Sequence, residues 1–76
     1  MTVFEQLSLL KRLDLLIRRK ATGTPMQLAR RLGVSRASVF RYLNELKSVG
    51  APIQYCKVRQ SYFYEYHFEL EWQWGS

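Results

Sequence analysis

Between Ser35 and Asn44 the chain reads SRASVFRYLN, and its outward residues fall at spacings that group them on one side of a helix. At about 100° per residue, Arg36, Ala37, Phe40, Arg41 and Asn44 share a side opposite Val39, Leu43 and Leu46. Arginine presents a planar fork of donors that matches a phosphate or the edge of a guanine. The hydroxyls of Ser35 and Ser38 stand at the amide end of the same helix, where aligned peptide dipoles attract anions. This pattern suits grip on a polyanion. It does not assemble a nucleophile, a base or a metal site.

Holding those side chains in place requires the helix to be fixed at both ends and packed from behind. Ser35 is an N-cap residue, and Val34 before it can be buried in a turn. Upstream, Thr24, Pro25 and Gln27 complete a capping box with proline at the first helical position, so a short helix is expected over about 25–32. Leu28 and Leu32 share its buried face, Ala29 lets a second helix cross closely, and Gly33 supplies the left-handed residue that ends it. The second helix is expected over about 36–48, ended by Gly50 and Pro52. Two short helices joined by a glycine turn form a helix-turn-helix, and a helix-turn-helix carrying arginine on its second helix points to DNA.

The stretch LARRLGVSRASVFRYLNELKSVGAPIQY resembles the winged helix-turn-helix domain at the N-termini of DeoR-like and WYL-containing bacterial regulators, and of biotin-repressor-like proteins. The resemblance runs from about Leu9 to Tyr66. It rests on Leu28-Ala29, Leu32-Gly33-Val34-Ser35, Val39, Arg41, Leu43, Leu46 and Gly50-Ala51-Pro52-Ile53. It implies an α+β fold, three helices followed by a two-stranded β-hairpin wing. It also implies that the recognition helix enters double-stranded DNA. The chain departs from the family pattern at Ala37, where a second basic residue is common, and at Gln60-Ser61, where Gly-Gly often forms the wing tip.

Composition narrows the remaining choices. With 76 residues, 47% hydrophobic and 24% charged, the chain fits a single domain over 1–76. No apolar run is long enough to span a bilayer and no secretory signal opens the chain, so a cytoplasmic protein is expected. Cys56 and His67 are each the single residue of their type, which leaves no internal disulfide and no cysteine-based metal site, and no cofactor is called for. With one Asp, one His and one Cys, an enzyme has little to be built from. All twelve Lys and Arg lie between Lys11 and Arg59, against only Asp14 and Glu45, so this span carries an excess of ten positive charges. Glu5, Glu65, Glu69 and Glu71 flank it. A polyanion would be drawn to one side.

A first helix is expected over about 3–20, opened by a capping box of Thr2 and Glu5, with a core stripe of Leu7, Leu10, Leu13 and Ile17 widened by Leu9 and Leu16. Phe4, Ser8, Lys11 and Leu15 form a separate strip almost opposite, which reads either as scattered surface residues or as a dimer contact. After the recognition helix, Ile53 to Val58 and Tyr62 to Leu70 read as the two strands of a wing over about 53–70, around a turn at Arg59-Gln60-Ser61. Lys57 and Arg59 flank that turn and can reach phosphates. Even positions Tyr62, Tyr64, Tyr66, Phe68 and Leu70 should face the core, and odd positions Phe63, Glu65, His67, Glu69 and Glu71 the solvent. Trp72 and Trp74 carry the same parity into a tail over 71–76, where they could extend the hairpin, fold under the first helix or pair with a second subunit.

These readings converge on a DNA-binding homodimer. The alternative is a protein-interaction module that reuses the scaffold and binds a partner through the aromatic strand or the tryptophan tail.

Overall fold

The computed structural model describes residues 3–69: α1 Val3–Arg18, α2 Pro25–Leu32, α3 Arg36–Ser48, β1 Ile53–Cys56 and β2 Ser61–Tyr64. The three helices are followed by an antiparallel hairpin, an α+β winged helix-turn-helix. The expected Thr2 cap, the Phe4 side chain, Leu70, Glu71, Trp72 and Trp74 lie outside the described residues.

All three helices end in one way. Each ends with a left-handed residue whose N–H bonds back three residues while the next N–H bonds back five, which satisfies carbonyls the helix leaves open. Gly33 and Val34 do this for α2, bonding to the carbonyls of Arg30 and Ala29, and Gly50 and Ala51 do it for α3, bonding to those of Lys47 and Leu46. For α1 the left-handed residue is Lys20, at φ 56°, and Ala21 bonds to Leu16. This closure ends the helix at Arg18, two residues before the expected Lys20.

The α1 core row is Leu9, Leu13 and Ile17, at steps of four, with Leu10 and Leu16 packed on its flanks. Leu13 and Ile17 of the expected stripe are buried, whereas Leu7 and Leu10 are half-buried and Leu9, expected to widen the stripe, completes the row instead. The leucines of α1 cover a broad arc, and the position of two neighbours, α2 and β2, selects its buried centre. Val39, Tyr42, Leu43 and Leu46 of α3, Leu28, Ala29 and Leu32 of α2, and Ala51, Ile53 and Tyr62 of the hairpin complete the core. Tyr42 is the largest of the fully enclosed side chains.

The hairpin is shorter than expected. Ile53 pairs with Tyr64 and Cys56 with Ser61, so the turn occupies residues 57–60, and Ser61 belongs to the strand. Ser61 is drawn in by Thr22: the Thr22 N–H donates to Ser61 Oγ at 3.1 Å and the Tyr62 N–H donates to Thr22 Oγ1 at 2.8 Å. Thr22 has no exposed surface (0%), and the two hydroxyls sit 3.0 Å apart. After Tyr64 one more bond is made, from Glu65 N–H to the Pro52 carbonyl, and pairing stops. The expected period-two alternation is broken both inside the strand and just after it. Tyr66 is exposed, Phe63 is half-buried, and Ser61 and Tyr62 are buried side by side.

Candidate nucleic-acid interface

The recognition helix α3 is held from behind and left open in front. Its buried row anchors it to the core, while Arg36, Ala37, Phe40, Arg41 and Asn44 all lie exposed on the opposite side. Ser35 caps the helix, its Oγ accepting from Ser38 N–H at 3.1 Å, and donates to Ser38 Oγ at 3.1 Å. Neither α2 nor α3 carries an acid in its first turn, so no negative side-chain charge offsets the positive ends of the two helix dipoles. The capping box of α2 is complete: Thr24 Oγ1 accepts from Gln27 N–H at 3.3 Å and Gln27 Oε1 accepts from Thr24 N–H at 2.9 Å. Both helix starts are thereby fixed.

Arg41 is partly ordered before any ligand arrives. Its guanidinium lies 5.1 Å over the Tyr42 ring and donates to the Tyr42 hydroxyl at 3.3 Å. The ring is buried, so the arginine stem is restrained on a rigid support. Phe40 is 43% exposed, an apolar contact set among the polar ones.

On the wing, Lys57, Val58 and Arg59 are exposed on the four-residue turn, and the Arg59 N–H donates to Cys56 Sγ at 3.5 Å. Lys20 joins Arg59 beside a hollow of about 100 Å³ lined also by Cys56, Ser61 and Phe63. Reading the sequence along its length misses Lys20, because the contacts that bring the end of α1 to the wing, Thr22 with Ser61 among them, join residues far apart in the chain. The wing base is tied down by a second contact. The Tyr64 hydroxyl donates to Asp14 Oδ1 at 2.6 Å, Arg18 Nε donates to Asp14 Oδ2 at 2.9 Å, and the Arg18 guanidinium lies 5.3 Å from the Tyr64 ring. Burial, then the bond to the Asp14 carboxylate and its charge, hold the Tyr64 phenol protonated well above its ordinary range. The bond to Asp14 likewise raises Arg18. Asp14 does carry a local signal, since it is a lone acid inside an apolar helical arc with Arg18 four residues on.

The expected site residues thus fall into three groups: the α3 face, the wing turn with Lys57 and Arg59, and Lys11 with Leu15, both exposed on α1. Over residues 8–55, well over half its length, the chain matches the model of the HTH domain family. The chain belongs to the HTH domain family. This helix-turn-helix family is one of DNA-binding domains, and the match covers α1 from Ser8 onward, all of α2 and α3, and most of β1. Neither a curated protein nor a solved structure matches the chain. Among the described residues no helix is long and apolar enough to cross a membrane.

Proposed function

We propose that the protein binds double-stranded DNA sequence-specifically, with α3 in the major groove and the wing turn on the backbone, and acts as a small transcription regulator of the bacterial cytoplasm. The resemblance to DeoR-like, WYL-containing and biotin-repressor-like regulators supports the regulatory role. The observation that carries the reading is the exposed α3 face on a helix whose N-terminus is fixed by Ser35 and lacks acids. Arg36 and Arg41 are the base or phosphate readers, Ala37, Phe40 and Asn44 complete the contact surface, and the amide end by Ser35 and Ser38 meets a phosphate. Lys57 and Arg59 hold the backbone through charge. A homodimer would double the sequence read.

The test is selection of bound duplexes from a random pool, followed by fluorescence anisotropy on the recovered sequence. A defined consensus bound far more tightly than its scrambled version is the expected result. Recovery of no consensus, with all duplexes bound alike, would overturn sequence-specific reading.

A further inference from the structure

On α1, Arg12, Leu15, Leu16 and Arg19 form, with Arg31 of α2, an open groove of about 240 Å³. The three arginines are exposed, no acid lines the groove, and its floor is apolar, with Leu15 49% exposed. A DNA backbone would use the cations and leave the leucines unexplained. Arginines around an exposed leucine are instead the composition of a protein contact. Its occupant needs carboxylates and a bulky apolar side chain together.

This chain carries one such segment among its described residues. Glu65, Tyr66 and Glu69 are all exposed, Tyr66 at 64%, and no other described stretch places two acids within five positions. Asp14 is buried under Arg18 and Tyr64, and Glu45 lies on α3. We propose that residues 65–69 of one copy dock in the arginine groove of a second copy, carboxylates to Arg12, Arg19 and Arg31 and Tyr66 onto Leu15.

The placement on α1 allows the contact to be made twice. The segment continues from the hairpin along the Arg18 flank, where Ile17, Arg18, Tyr64, Tyr66 and Phe68 line a common cleft. At about 100° per residue, Lys11 falls between that flank and Leu15 at the near edge of the groove. A two-fold axis running along this strip, parallel to α1, carries each acidic segment onto the other copy's arginines, giving a closed pair. The inference deepens the DNA-binding reading by naming the face that joins two readers, and its test needs no DNA.

Sedimentation velocity of the full chain at low salt should show a dimer that dissociates as salt is added, because the contact is charged and exposed. Arg19→Glu with Arg31→Glu, and separately Glu65→Arg with Glu69→Arg, should each give monomers. Mixed in equal amounts, the two variants should recover the dimer, since each then meets a complementary groove. Arg12 is left intact because its Nη2 already donates to the Arg31 carbonyl at 2.8 Å. Circular dichroism checks folding, and the neutralising pairs Arg19→Gln with Arg31→Gln and Glu65→Gln with Glu69→Gln replace any reversal that unfolds. A wild type that stays monomeric at high micromolar concentration, a dimer indifferent to either pair, or a mixture that fails to recover it would overturn the proposal. Weakened duplex binding by Arg19→Glu with Arg31→Glu in a monomeric wild type would assign the groove to DNA, leaving the α3 reading intact.

Discussion

The α2–α3 unit and the hairpin are positioned by different kinds of force. In the helical unit nearly every constraint is local: Thr24 and Gln27 start one helix, Gly33 ends it, and Ser35 starts the next within two residues. The hairpin has four paired positions and hangs on contacts that cross the chain, Thr22 with Ser61 and Asp14 with Tyr64. That difference yields a rigid reader and a wing held at two anchor points. Base readout needs side chains fixed to a fraction of an ångström, whereas the backbone contact proposed for Lys57 and Arg59 tolerates movement.

Breaking one anchor should have the largest effect on the contrast. Thr22→Val removes the acceptor for the buried Tyr62 N–H and a partner of Ser61 Oγ. The expected loss is about 1 to 3 kcal/mol in urea unfolding, with hydrogen exchange accelerated at Tyr62 before it rises in α3. Uniform acceleration across α3 and β2 would show that the wing is not separately anchored.

The helix ends give a matched pair of opposite sign. An added Cβ at Gly33 meets no atom within 4 Å, so Gly33→Ala strains only the backbone at φ 70° and should cost about 1 kcal/mol. Lys20→Gly relieves the same strain at φ 56° and should stabilise by up to about 1 kcal/mol, read as a higher melting temperature. Equal and opposite shifts would confirm that the three closures are one device. A destabilised Lys20→Gly would show that the lysine side chain outweighs the strain.

The locality of these rules explains how much can be read from residues alone. Thr24, Pro25, Gln27, Gly33 and Ser35 announce α2 and α3 because their partners lie within five residues. Lys20 gives no such sign, since its left-handed backbone turns the chain toward a contact with the wing, Thr22 with Ser61, about forty residues away in sequence. The wing strands read longer in the sequence than they are, because Tyr62, Tyr64, Tyr66 and Phe68 alternate while the pairing that would make alternation meaningful ends with Glu65 and Pro52. The outward face of α3 is legible from its period, whereas the buried Tyr42 support beneath Arg41 depends on packing.

The second anchor predicts a pH effect, smaller than the first. The Tyr64 phenol is raised above its ordinary 10.0 in the folded protein, so the unfolded chain loses that proton first as pH rises. This contribution to stability is present below about pH 10 and is lost above it, toward the folded value. Tyr64→Phe should be somewhat less stable at neutral pH and show a shallower decline above about pH 10 in thermal melts. An unchanged alkaline slope would remove Tyr64 as its source, leaving Tyr62, whose phenol burial also raises, as the remaining candidate.

The division of labour between the two regions is tested most directly by the salt dependence of duplex binding. Arg36→Ala and Arg41→Ala should each weaken binding to the selected sequence by about 1 to 3 kcal/mol where they contact bases, and narrow its margin over scrambled DNA. Lys57→Ala with Arg59→Ala should weaken both duplexes alike and lower the slope of log affinity against log salt by up to about 2. Full affinity and selectivity in both arginine variants, with helical circular dichroism intact, would contradict α3 as the reader.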